Sequence, residues 1–132
     1  MFRQRMKVKT SKAEWRVIFR LEKLGYGHDM VLQRGHKFDV EKDGVHGTWT
    51  DIEYLTPYEF CIFIDLDKWH QKSKQQQKDE LITQALEHRG YTVKRYLYSY
   101  DSRKGISDTR LTEVVTDIIA VLKQKGYKPL KK

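Results

Sequence analysis

Residues 60–67, FCIFIDLD, constrain this chain more than any other stretch. Side chains on a strand alternate between its two faces. Here Cys61, Ile62, Phe63 and Ile64 are apolar in succession, so both faces of the strand are apolar. Such a strand belongs in the middle of a sheet covered on both sides. Helices supply that cover in an α/β domain. The same stretch then turns acidic. Asp65 and Asp67 are two residues apart, so strand geometry points both to one face. Trp69 and His70 follow at once. Two like charges repel, and packing needs neither.

The rest of the chain reads as one domain around that strand. Its 132 residues suit a single core. Residues 1–10 read as a basic arm, 11–128 as the domain, and 129–132 as a basic tail. TSKAEWRVIFRLEKLG reads as a helix, capped by Thr10 or Ser11 and ended by Gly25, with Trp15, Ile18, Phe19 and Leu21 on its apolar stripe. DMVLQRG and KFDVEKDG read as short strands or loop edges, and GTWTDIEYL as an alternating strand. KSKQQQKDELITQALEHRG reads as the second helix, with Leu81, Ile82, Ala85 and Leu86 inward. YTVKRYLYSY reads as a strand, and DTRLTEVVTDIIAVLKQKG as the last helix, capped by Ser107 or Asp108. The order is α-β-β-β-α-β-α, a central mixed sheet flanked by helices. No apolar run is long enough to cross a membrane. The N-terminus lacks the apolar stretch of a signal peptide, so the sequence predicts an intracellular protein, cytoplasmic in a prokaryote or a virus-infected cell. One cysteine, Cys61, excludes an internal disulfide framework.

The formal net charge is +8. The cations are grouped: Arg3, Arg5, Lys7, Lys9 and Lys12 at the start, Lys68, Lys72, Lys74 and Lys78 after the Asp pair, and five lysines in the last ten residues. Grouped cations point to a polyanionic partner, with nucleic acid foremost. Lys68, Lys72, Lys74, Arg3 and Arg5 are the candidates for holding backbone phosphates.

Phosphodiester cleavage needs carboxylates to hold a divalent cation, a group to activate water, and cations for the phosphates. Asp51 lies in one predicted strand and Asp65 near the end of the next. Antiparallel pairing of the two brings both carboxylates to one edge. Glu14 joins them from the first helix, His70 follows the second strand, and Asp79 lies on the second helix. Each has a plainer reading. Glu14 serves a capping box, Asp51 and the Asp65–Asp67 pair end strands, His70 caps a helix, and Asp79 supports helix charge pairing. His28, His36, His46 and His88 show no metal-ligand spacing and read as surface or loop residues. The three tryptophans read as core or half-buried.

These residues in this order resemble the PD-(D/E)XK nuclease superfamily, and within it the very-short-patch-repair endonucleases and their EDxHD homing relatives. TSKAEWRVIFRLEKLGY is similar to that branch's first helix, with Glu14 at the acidic position. TDIEY is similar to its metal-binding strand through Asp51. CIFIDLDKWHQK is similar to its strand ending in Trp-His, through His70. KQQQKDELITQALEHRGYTVKRY is similar to its helix–strand unit, through Asp79. Thr50 stands where the pattern has Pro, and Asp67 where it has Lys. The resemblance implies a restriction-endonuclease-like fold and a Mg²⁺-dependent DNA endonuclease, with Mn²⁺ as a substitute. Asp51 and Asp65 would hold the metal. His70 would act as general base, oriented by Asp79, and Glu14 would orient water. Lys68 or His70 would do the work of the missing Lys. Two further readings remain open, a non-catalytic nucleic-acid-binding domain and a Holliday-junction resolvase. A homodimer or a larger protein partner would supply specificity.

Overall fold

The computed structural model describes residues 10–67 and 73–130. Ten elements follow one another: α1 (Lys12–Lys23), β1 (Met30–Leu32), β2 (Gly35–Lys37), α2 (Val40–Asp43), β3 (Gly47–Trp49), β4 (Ile52–Tyr54), β5 (Phe60–Leu66), α3 (Ser73–His88), β6 (Thr92–Tyr98) and α4 (Asp108–Gln124). The fold is α/β. Its central four-stranded sheet has the order β1-β4-β5-β6. β4 pairs antiparallel with β1 and β5, whereas β5 and β6 run parallel. Parallel neighbours need a crossover, and α3 provides it.

β5 is central, and residues 60–64 are buried on both faces. On one face Ile62 and Ile64 join Val17, Ile18 and Leu21 of α1 and Val114, Ile118 and Leu122 of α4. On the other, Cys61 and Phe63 pack with Ile82, Ala85 and Leu86 of α3. Burying each such aliphatic side chain stabilises the fold by about 1.5–3 kcal/mol before conformational entropy is counted.

Helix ends follow the sequence closely. Ser11 caps α1 by accepting from the Glu14 N–H, and Ser107 caps α4 by accepting from the Arg110 N–H. After α1 the chain reverses through Gly25 at φ +92, where the last described residues dock: Leu130 N–H donates to the Gly25 carbonyl. A Cβ on Gly25 would run into the Leu130 carbonyl oxygen, so glycine is required there twice over.

Several expectations are corrected. GTWTDIEYL is two strands in two sheets. β3 pairs with β2 in a separate two-stranded sheet, while β4 joins the central one. The switch falls between Thr50 and Asp51. Thr50 N–H donates to Arg34 O, and Asp51 N–H donates to Ile62 O. KFDVEKDG contains a one-turn helix, because Asp39 caps it at Glu41 N–H and Gly44 closes it in the left-handed region. Leu81 is 38% exposed, because the stripe of α3 runs through Asp79, Ile82, Ala85 and Leu86. Trp15 faces solvent and His36 is buried.

Candidate active site

Two strand ends and two helix beginnings enclose a cleft of about 650 Å³. Ser11 and Glu14 reach it from the first turn of α1. Asp51 enters from the sheet switch before β4. Ile64, Asp65 and Leu66 come from the end of β5, Arg95 and Tyr98 from β6, and Gln75, Lys78 and Asp79 from the start of α3. Four acidic residues singled out on separate stretches of sequence thus line one cleft. Glu14, Asp51 and Asp79 are buried, and Asp65 is partly so.

Backbone geometry sets each carboxylate. Asp51 sits where the chain changes sheets, and its Oδ2 accepts from the Ile64 N–H at 2.7 Å. That bond ties Asp51 to the strand that carries Asp65. Tyr98 reports how close the group is. Burial raises its hydroxyl pKa, a hydrogen bond with Ser11 lowers it, and the charges of Glu14, Asp51 and Asp65 raise it again. Asp79 accepts from Gln75 Nε2 at 2.9 Å, one helical turn away.

Arg95 was not anticipated. Its Nη1 lies 3.0 Å from Asp65 Oδ2 and 3.7 Å from Asp79 Oδ1. Its guanidinium stacks over Phe63 at 4.1 Å. The parallel register puts Arg95 beside Phe63, so both point toward α3. The available signal was Lys94-Arg95 inside a strand. A period of two sends these cations to opposite faces, and Lys94 lies 3.6 Å from Asp117 of α4.

The Asp65–Asp67 pair divides. β5 ends at Leu66, and Asp67 accepts from the Ser99 hydroxyl at 2.6 Å in a separate hollow. Lys74 lines a neighbouring hollow that shares Gly47 and Lys78 with the cleft. His70, Lys68, Lys72, Arg3 and Arg5 lie outside the described residues, as does Trp69.

The sequence reading also missed a buried network behind Asp51. Glu53 is wholly buried in β4. It accepts from His36 Nε2 at 2.6 Å, Arg34 Nη1 at 2.6 Å and Thr50 Oγ1 at 3.2 Å. Burial disfavours its charge, but the His36 and Arg34 donors outweigh burial and hold its carboxyl below the usual range. His36, Glu53 and Cys61 bring ligand atoms within 4.8 Å of one another, the one such trio among the described residues. By donor type they suit zinc. A cation there would displace the proton shared by His36 and Glu53 and lie beside the Arg34 guanidinium. Burial also keeps the Cys61 thiol protonated. The network is better explained as a lock between the two sheets.

The cleft has a different chemistry. Its oxygen donors suit a hard cation such as Mg²⁺, which keeps several waters and needs only one or two direct carboxylates. Among the described residues no three of its acidic groups meet the 4.8 Å spacing. No helix among the described residues is long and apolar enough to cross a membrane. No protein family, curated protein or solved structure matches the chain.

Proposed function

We propose that this chain is a metal-dependent DNA endonuclease of the PD-(D/E)XK type, with a restriction-endonuclease-like fold. One observation carries the reading: Glu14, Asp51, Asp65 and Asp79, from four separate elements, line one cleft. Asp51 would hold Mg²⁺ or Mn²⁺, with Asp65 or Glu14 as the neighbouring carboxylate. When bound, the cation polarises the scissile phosphate and stabilises the charge that develops on it. The Ile64 N–H fixes the orientation of the Asp51 carboxylate. His70 accepts the proton of the attacking water, since imidazole titrates near neutral pH. Lys78 in the cleft and Lys74 beside it hold flanking phosphates; Lys68, Lys72, Arg3 and Arg5 remain candidates for the same task from their sequence alone. Arg95 takes up part of the role of the missing lysine by holding Asp65 and Asp79 in place. A dimer or a partner protein supplies sequence or structure specificity.

Supercoiled plasmid incubated with Mg²⁺, Mn²⁺ or chelator tests the reading, beside Asp51→Asn and His70→Ala. Wild type should nick or linearise DNA with metal only, and both variants should lose at least a hundredfold in rate. Cutting that survives chelator, or matches in Asp51→Asn, would sink it. A second reading, DNA binding without cleavage, is favoured by the ion pair that already engages Asp65. No cutting with a salt-sensitive gel shift would establish that reading instead.

A further inference from the structure

We propose that the solvent face of α1 is a stacking platform for unpaired DNA bases, with Trp15 and Phe19 as its rings and Lys12 and Lys23 as its phosphate contacts. The core stripe of α1 is Ala13, Val17, Ile18 and Leu21, on the other side of the helix. Trp15 is 39% exposed and Phe19 59% exposed. The rings stack on each other, with centroids 5.2 Å apart and planes 18° apart. Exposed helix positions ordinarily carry strong helix formers, and neither Trp nor Phe is one. Packing within the chain covers part of Trp15 but leaves most of Phe19 exposed to solvent.

The surroundings choose the ligand. At about 100° per residue, Lys12 and Lys23 fall within about 40° of Phe19 around the helix. Lys12 Nζ donates to the Arg103 carbonyl at 2.7 Å, which holds its ammonium at the start of the helix. The centre of a protein interface is depleted of charge, whereas these rings are flanked by lysines. Two rings bordered by lysines on a chain of net charge +8 match bases and phosphates instead. Two rings already stacked on each other offer a flat π-face of the kind on which successive unpaired bases stack, so the ligand is a single-stranded segment.

The inference rests on DNA being the polyanion, and not on cleavage. Binding is therefore measured in chelator, by anisotropy of a labelled oligothymidine and of a blunt duplex of equal length. Phe19→Ala and Phe19→Leu should weaken single-strand binding about tenfold, which is the scale of one base–aromatic stack. Phe19→Tyr should retain binding, and duplex affinity should change less than twofold. Lys23→Ala should flatten the salt dependence. These exposed substitutions should leave the melting temperature unchanged. Equal single-strand affinity in wild type and Phe19→Leu would overturn the platform. So would a dimer in sedimentation that Phe19→Ala dissociates, because a second copy would then cover the face. Loss of plasmid cutting with retained, Phe19-dependent single-strand binding would refute the nuclease and leave the platform standing.

Discussion

Glu53→Gln should be among the most costly single-atom changes in this protein. Glu53 is wholly buried and its carboxylate accepts from His36, Arg34 and Thr50. A hydrogen bond to a buried charge contributes about 1.5–3 kcal/mol, which sets the His36 contribution. Arg34 is 45% exposed, so its ion pair is discounted to below about 1 kcal/mol. Glutamine keeps the shape, so no cavity is added. The expected loss is about 2–3 kcal/mol at pH 7. Unfolding entropy of about 2.1 cal/mol/K per residue gives roughly 0.28 kcal/mol/K for 132 residues. The melting temperature should therefore fall by about 7–11 °C. The pH dependence follows from the sign of the shift. Glu53 titrates lower folded than unfolded, so its stabilisation is present above the ordinary carboxyl value of about 4.3 and is lost as pH falls through its own lower value. Urea unfolding of both proteins at pH 7 and near pH 3 measures this. A gap under about 0.5 kcal/mol at pH 7, or one unchanged near pH 3, would refute the account of Glu53 as an ionised, His36-bound carboxylate.

Arg95→Met keeps an apolar stem over Phe63 but removes the cation between Asp65 and Asp79. The metal-free variant should be about 1–2 kcal/mol less stable, and Mn²⁺ should raise its melting temperature more than that of wild type; equal metal-induced shifts would show that Arg95 does not compete with the cation for Asp65. Tyr54→Phe removes the hydroxyl that donates to the buried Tyr26 carbonyl at 2.6 Å. It should cost about 1–2 kcal/mol in urea unfolding, and a neutral result would mean that another donor replaces it.

What was legible in the sequence was whatever a period or a cap encodes. The apolar run 60–64 marked the central strand, Ser11 and Ser107 were each one of two cap candidates for their helices, and Gly25 marked a helix end. Glu14, Asp51, Asp65 and Asp79 were legible as candidates, and the fold puts them in one cleft. What was hidden depends on contacts between distant segments. GTWTDIEYL alternates smoothly, yet the chain leaves one sheet and joins another between Thr50 and Asp51. Nothing local signals that switch. His36 and Glu53 are 17 residues apart and meet only because of it. Arg95 is 30 residues from Asp65 and reaches it only because β6 runs parallel to β5.

The opening difficulty, two carboxylates at the end of an apolar strand, is resolved inside the chain. Asp65 is matched by Arg95, and Asp67 turns away to Ser99 once the strand has ended. The repulsion expected from a period of two therefore needs no bound cation to offset it. Parallel pairing of β5 and β6 brings their C-terminal ends to the same edge of the sheet, and α3, which joins them, begins at that edge. Ligand crevices in α/β sheets form outside such strand ends. α1 also begins there, with Glu14 in its first turn, where the positive end of the helix dipole favours a carboxylate. The cleft is acidic because topology gathers strand ends and helix beginnings there. Arg95 balances the Asp65–Asp79 side of that cleft, because the parallel register of β6 on β5 carries its guanidinium to the same strand ends.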